Sequence, residues 1–156
     1  MPPCRYCSSS DLTRWNNSLR YDTVKGCVPN STSPMRVLVA EDDPVLAEVL
    51  TEFLEYEGHH VTRTSDVRHA RNLVRDSVWD ACILDPSGIS AIELAADEAA
   101  ELRHLAADVP VVVTTGGIWA ERTPPADLGV CRILTKPYDL VELVQIINSM
   151  ERQTGM

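Results

Sequence analysis

None of the apolar runs in this 156-residue sequence approaches the roughly 18 residues needed to cross a bilayer as a helix. The N-terminus also lacks the charged-then-apolar order of a signal peptide, so no membrane partner is expected and the cytoplasm is the expected compartment. Positive charge is scarce where it would matter. Residues 1–34 carry four basic and two acidic side chains, whereas 35–156 carry ten basic and twenty-one acidic, a net charge near −11. Such a surface repels the phosphate backbone of nucleic acid and anionic lipid alike, so the expected partners are proteins or cations and no direct nucleic-acid contact is expected. Histidine is missing from the first 34 residues, where "CRYC" and Cys27 supply three thiols. A structural zinc site needs four ligands, and this segment falls one short. No internal repeat and no second domain is visible, and the length suits one domain with a real core.

The chain divides into a leader at 1–34, a domain at 35–152 and a short tail at 153–156. Ser, Asn, Thr and Pro dominate the leader and no hydrophobic period emerges, so it is expected to be disordered. Met35 stands directly before the first apolar run and would also make a natural start, which leaves open whether the leader is native. Inside the domain, Cys82 and Cys131 fall in strand-like runs and read as buried small hydrophobes.

From Met35 onward, strands and helices alternate. "RVLVA" (36–40) is a β-branched run suited to a strand covered on both faces. Asp43 then caps a helix, with Pro44 at its first position and Gly58 at its stop. Val45, Leu46, Val49, Leu50, Phe53 and Leu54 form its expected inner face. A more polar strand at 59–65, a helix at 66–77 with Ala70, Leu73 and Val74 inward, a strand at 80–85 and a helix over 90–106 follow. Trp79 is the expected core anchor beside the third strand. Strands at 109–115 and 131–135 complete the set, and Asp139 caps a last helix. Between the last two strands, two glycines and a Pro-Pro pair predict only a short or mobile helix, with Trp119 as a partly exposed contact. His59, His60, His69 and His104 read as solvated side chains. In the last helix Leu140, Leu143, Val144 and Ile147 make the inner face, while Val141, Ile146 and Met150 widen it. That width suits either a broad buried face or a homodimer surface. The alternation implies an α/β fold with a doubly wound parallel sheet of five strands.

In such a sheet, ligands bind beyond the carboxyl ends of the strands. Glu41 and Asp42 follow the first strand, Asp85 the third, Thr115 the fourth and Lys136 the fifth. Clustered carboxylates repel one another unless a cation joins them, and a hard oxygen-binding ion such as Mg²⁺ suits them. A lysine and a hydroxyl beside them supply what a transferred phosphoryl group needs.

Over residues 35–151 the sequence resembles the receiver (CheY-like) domains of two-component response regulators. "VLVAEDDPVLAEVL" resembles the family's first strand and acidic pair, "ILD" its phosphoacceptor strand, "VVVTTG" the strand ending in Thr or Ser, and "ILTKPYDL" its Lys-Pro strand end. The resemblance implies a flavodoxin-like sheet of order 2-1-3-4-5 and a cis bond at Lys136–Pro137. It further implies that Asp85 accepts a phosphoryl group from a sensor histidine kinase or phosphotransfer protein. Mg²⁺ would be held by Asp42, Asp85 and the Ser87 backbone carbonyl, with Glu41 acting through water. Lys136 would pair with the phosphoryl group and Thr115 would bind one of its oxygens, coupling it to residues 116–130. At most, slow self-phosphorylation and autodephosphorylation are implied. Because the chain stops soon after the fifth helix, a stand-alone receiver is expected, acting on a downstream protein by contact or by phosphorelay. "VTTGGI" also resembles the F-A-T-G-G/Y-Y signature of an alphaproteobacterial subgroup, with Ile118 where that signature has tyrosine.

Three departures separate this chain from the common pattern. "DPSGISAIEL" looks like the family's loop with two residues removed and Ala91 in place of a glycine. Pro86 has no backbone N–H to aim at a phosphoryl group, and a hydrogen bond to a charged group is worth roughly 1.5–3 kcal/mol. Ile133 stands where most receivers carry an aromatic switch residue. These departures suggest a second reading, a pseudo-receiver that binds partners without phosphorylation. A third, a haloacid-dehalogenase-like phosphohydrolase, needs an Asp two positions after its nucleophile, but Ser87 stands there after Asp85 and Pro44 after Asp42.

Overall fold

The computed structural model describes residues 34–86 and 93–150. The expectations for the leader, for Ser87, Gly88 and Ala91 and for the tail lie outside the described residues. Five strands, β1 (Arg36–Ala40), β2 (His60–Thr64), β3 (Ala81–Leu84), β4 (Val111–Thr115) and β5 (Arg132–Thr135), alternate with helices. The helices are α1 (Pro44–Tyr56), α2 (Val67–Asp76), α3 (Ala96–Asp108), α4 (Pro125–Leu128) and α5 (Leu140–Asn148), with a 3₁₀ turn at Ile118–Arg122 before α4. All strand pairs are parallel, and the order is β2-β1-β3-β4-β5. The Lys136–Pro137 peptide bond is cis.

Local chemistry sets the helix starts. The Asp43 carboxylate accepts from the N–H groups of Val45 and Leu46, Asp66 from Arg68, and Asp139 from Val141. Glu98 reaches back to the Ala95 N–H at 3.3 Å to close the start of α3, which begins at Ala96 rather than near 90. Gly58 at φ 94° and Gly129 at φ 70° make the two left-handed turns after α1 and α4.

Alternate residues of the strands feed two cores. Leu38, Cys82, Leu84, Val111 and Val113 pack under α2, α3 and α4 with Trp79 and Trp119. Val37, Val39, Ile83 and Val112 pack on the other face under Leu50, Leu54, Leu143 and Ile147. Trp79 is buried as expected and donates its indole N–H to Leu73 O at 2.9 Å. Ile146 and Met150 are buried too, so most of the width of the last helix is core and only Val141, 52% exposed, remains outside.

Several expectations require correction. Trp119 is only 4% exposed, because the 3₁₀ turn folds its indole under the sheet edge instead of presenting it. His59 is buried: its Nδ1 accepts from the Met35 N–H at 3.1 Å, while Nε2 lies 2.6 Å from Asn148 Oδ1. Val45 and Phe53 are exposed and Ala47 is buried, which rotates the inner face of α1 away from the expected stripe. Replacing His59 by alanine leaves the Met35 N–H without its acceptor and is expected to lower unfolding stability by about 2 kcal/mol. Urea titration should find the exposed neighbour His60→Ala within about 0.5 kcal/mol of wild type.

Candidate functional site

The register brings the polar strand ends to one edge. β1 pairs with β3 so that Ala40 lies level with Leu84, and the Asp85 N–H donates to Ala40 O at 3.0 Å. Glu41, Asp42 and Asp85 therefore converge, each with a carboxylate oxygen within 4.8 Å of the others. Lys136 enters from β5, where its own N–H donates to Thr115 O at 2.8 Å. Its Nζ lies 2.8 Å from Asp85 Oδ2 and 3.1 and 3.2 Å from the two oxygens of Glu41. The Glu41 side chain is 1% exposed and that of Asp85 5%, so one ammonium is shared by two nearly dry carboxylates. Asp42 is exposed and completes the cluster on its outer side.

Burial raises the Glu41 carboxyl above its ordinary value; the Asp43 N–H, at 3.2 Å, and Lys136 pull it back, while the charge of Asp85 pushes it up further. Burial also pulls the Lys136 ammonium down, but its bonds and charge attraction to Asp85, then to Glu41, outweigh this and leave it raised. Tyr138, two residues on, has its phenol pushed up by burial and by the charges of Glu41 and Asp85. The buried Tyr138 and Thr114 hydroxyls have no hydrogen-bond partner among the described residues.

Thr115 ends β4 fully buried, and its Oγ1 accepts the Gly117 N–H at 2.9 Å. A cleft of about 440 Å³ opens beside the cluster, lined by Asp42, Asp85 and Pro86, by Asp66 at the start of α2 and by Glu98 and Glu101 on α3. The sequence offered no route to these last three as cleft residues, because none of them stands in a motif. Of the expected site residues, Glu41, Asp42, Asp85 and Lys136 are brought together, Thr115 joins them through the backbone of Lys136, and Ser87 lies outside the described residues. Three carboxylates with hard oxygen donors and no soft ligand fit Mg²⁺.

The model of the response regulator receiver domain matches residues 37–148. The chain belongs to the response regulator receiver family. It is 35% identical over 124 residues to the transcriptional regulatory protein TcrA of Mycobacterium tuberculosis, covering 78% of this chain and 47% of that one. It is 31% identical to the response regulator MprA of Mycolicibacterium vanbaalenii, covering 78% of this chain and 52% of that protein. The chain thus spans about half the length of these relatives. Among solved structures, the non-phosphorylated HemR receiver domain of Leptospira biflexa superposes with a TM-score of 0.57 at 28% identity, covering 77% of this chain and 98% of that one. Sheet order 2-1-3-4-5 is the flavodoxin-like order that the resemblance implied. Membership in this family takes the place of the phosphohydrolase reading. Among the described residues, no helix of this receiver domain is long and apolar enough to cross a membrane.

The charge balance of the receiver's acidic edge sets a pH dependence in metal-free protein. A raised Glu41 contributes stability that is full below pH 4.5 and is lost as the pH rises through its folded value. Glu41→Gln should therefore flatten the fall in unfolding stability above pH 4.5. A raised Lys136 contributes stability that is full below pH 10.5 and lost above it. Lys136→Met should cost about 3 kcal/mol at neutral pH and remove that alkaline loss, as read by urea unfolding across the pH range.

Proposed function

We propose that this receiver domain accepts a phosphoryl group on Asp85 from a phosphohistidine of a sensor kinase or phosphotransfer protein. The observation that carries the reading is a nearly dry Asp85 carboxylate held 2.8 Å from Lys136 Nζ inside a three-carboxylate cluster. In the transfer, one Asp85 oxygen attacks phosphorus in line, the P–N bond breaks, and its electron pair returns to the imidazole, leaving an acyl phosphate. Lys136 turns its ammonium toward the new phosphoryl oxygens, and Thr115 donates its hydroxyl to one of them. Asp42, Asp85 and the Ser87 carbonyl would hold Mg²⁺, with Glu41 acting through a bound water. The ion, when bound, neutralises charge that would otherwise build up between donor and acceptor.

The acidic surface supports output through a protein partner or phosphorelay and no direct nucleic-acid contact by this domain, in the cytoplasm. The name of TcrA, a transcriptional regulatory protein, supports control of transcription as the other output class. The alphaproteobacterial signature at "VTTGGI" stays a resemblance that no step of this mechanism needs. Burial of Ile146 and Met150 weakens the case for a homodimer through α5.

Pro86 favours a second reading, the pseudo-receiver, since it removes one N–H donor beside the phosphoryl position. Incubation with Mg²⁺ and a small phosphodonor should add one phosphoryl group by intact mass, and Asp85→Asn should add none. Pro86→Ala, which restores an N–H, should lengthen the lifetime of the adduct by about tenfold or more. An unmodified wild-type protein under every donor would leave the pseudo-receiver reading in possession.

A further inference from the structure

The acidic edge accounts for the carboxylates and the lysine, but not for what aims the Thr115 hydroxyl. Thr115 is completely buried, and its Oγ1 receives the Gly117 N–H at 2.9 Å. A hydroxyl has one proton and two lone pairs, so this bond occupies an acceptor position and turns the proton outward as a donor. Gly117 has φ −73°, which any residue adopts, so its lack of a side chain has another cause. A Cβ there would collide with Nε1 of the Trp119 indole, would lie 2.5 Å from its Cδ1, and would come 3.1 Å from Thr115 Oγ1. Trp119 thus presses against the backbone that holds the hydroxyl. Trp119 is itself held in place: it is 4% exposed within the core of Leu84, Val113, Leu128 and Val130, and its backbone carbonyl accepts the Thr123 hydroxyl at 3.0 Å, which anchors the turn that carries the ring. Ile133, at the usual aromatic position on β5, packs against the same cluster.

We infer that Gly117 and Trp119 are a positioning pair for Thr115, holding its hydroxyl proton aimed at the phosphoryl position and moving when that proton is taken up. The inference rests on the phosphoacceptor reading of Asp85. It puts the aromatic side chain that feels the state of Thr115 in the 3₁₀ turn two residues past Gly117, rather than on β5. Signals from the site then leave through the segment that carries Ile118, which is 56% exposed.

The test uses the full chain labelled with fluorotryptophan, followed by fluorine NMR and titrated first with Mg²⁺ alone and then with beryllofluoride as a phosphoryl mimic. Trp119→Phe assigns the Trp119 resonance. In wild type that resonance should move with beryllofluoride and not with Mg²⁺ alone. Thr115→Ser should keep the movement and Thr115→Val should lose it. Gly117→Ala should weaken beryllofluoride binding by about tenfold or more while Mg²⁺ affinity, which reports an intact carboxylate cluster, stays unchanged. Further replacing Trp119 by leucine in that variant makes room for the added methyl and should restore binding in part. Wild-type beryllofluoride affinity in Gly117→Ala, or a Trp119 resonance that moves equally in Thr115→Val, overturns the positioning pair alone. Mg²⁺ binding without any beryllofluoride binding in wild type overturns the phosphoacceptor reading, and the pair falls with it.

Discussion

One ammonium shared between two buried carboxylates governs this molecule. Glu41 and Asp85 approach the same Lys136 Nζ from strands separated in sequence by more than forty residues, and Asp42 adds a third negative charge at the rim. Without Lys136 the cluster would have to take up protons or spread apart, since like charges in a poorly hydrated edge repel strongly. With it, the edge stays assembled and keeps an excess of negative charge. That excess is the physical basis for reading the site as cation-binding. A lysine that can exchange a carboxylate partner for a phosphoryl oxygen is likewise the basis for reading it as a phosphoacceptor.

Everything beneath the edge serves to hold those side chains together at one end of the sheet. The parallel register aligns Ala40 with Leu84, Val113 and Ile133 across the sheet, so Glu41 and Asp85 leave their strands level while Thr115 lies one position and Lys136 two positions further along theirs. Two separate cores, one on each face, fix that register, because slipping a strand by one residue would exchange the side chains fitted to one core with those fitted to the other. The cap on α1 belongs to the same device: Asp43 holds the helix start with its side chain while its backbone N–H bonds Glu41. The turn from strand to helix thereby orients the acid that Lys136 needs.

Much of this was legible in the residues. Short continuous runs rich in Val and Ile fit strands buried on both faces, and Asp43–Pro44 and Asp139 mark helix starts by their own chemistry. The polar strand ends followed directly, because topology alone brings them to one edge. What escaped was set by tertiary packing. Val45 and Phe53 satisfy a helical period yet face outward, since where a stripe is centred depends on which part of the helix the sheet covers. His59 looked solvated because its partners, Met35 and Asn148, come from the residue before the first strand and the end of the last helix. Trp119 looked exposed because two glycines and two prolines signal a loop but not the direction in which its side chains turn. The signal that could have found it is the Gly117-to-Trp119 spacing, where a missing Cβ makes room for a large ring.

The measurement that bears most directly on the central claim is phosphotransfer from a labelled phosphohistidine donor, followed by mass-spectrometric mapping of the modified residue with and without Mg²⁺. The charge arrangement around Lys136 predicts label on Asp85 alone and only when Mg²⁺ is present. Label on any other residue, label on Asp85 that is indifferent to Mg²⁺, or no label from any phosphohistidine donor would contradict it.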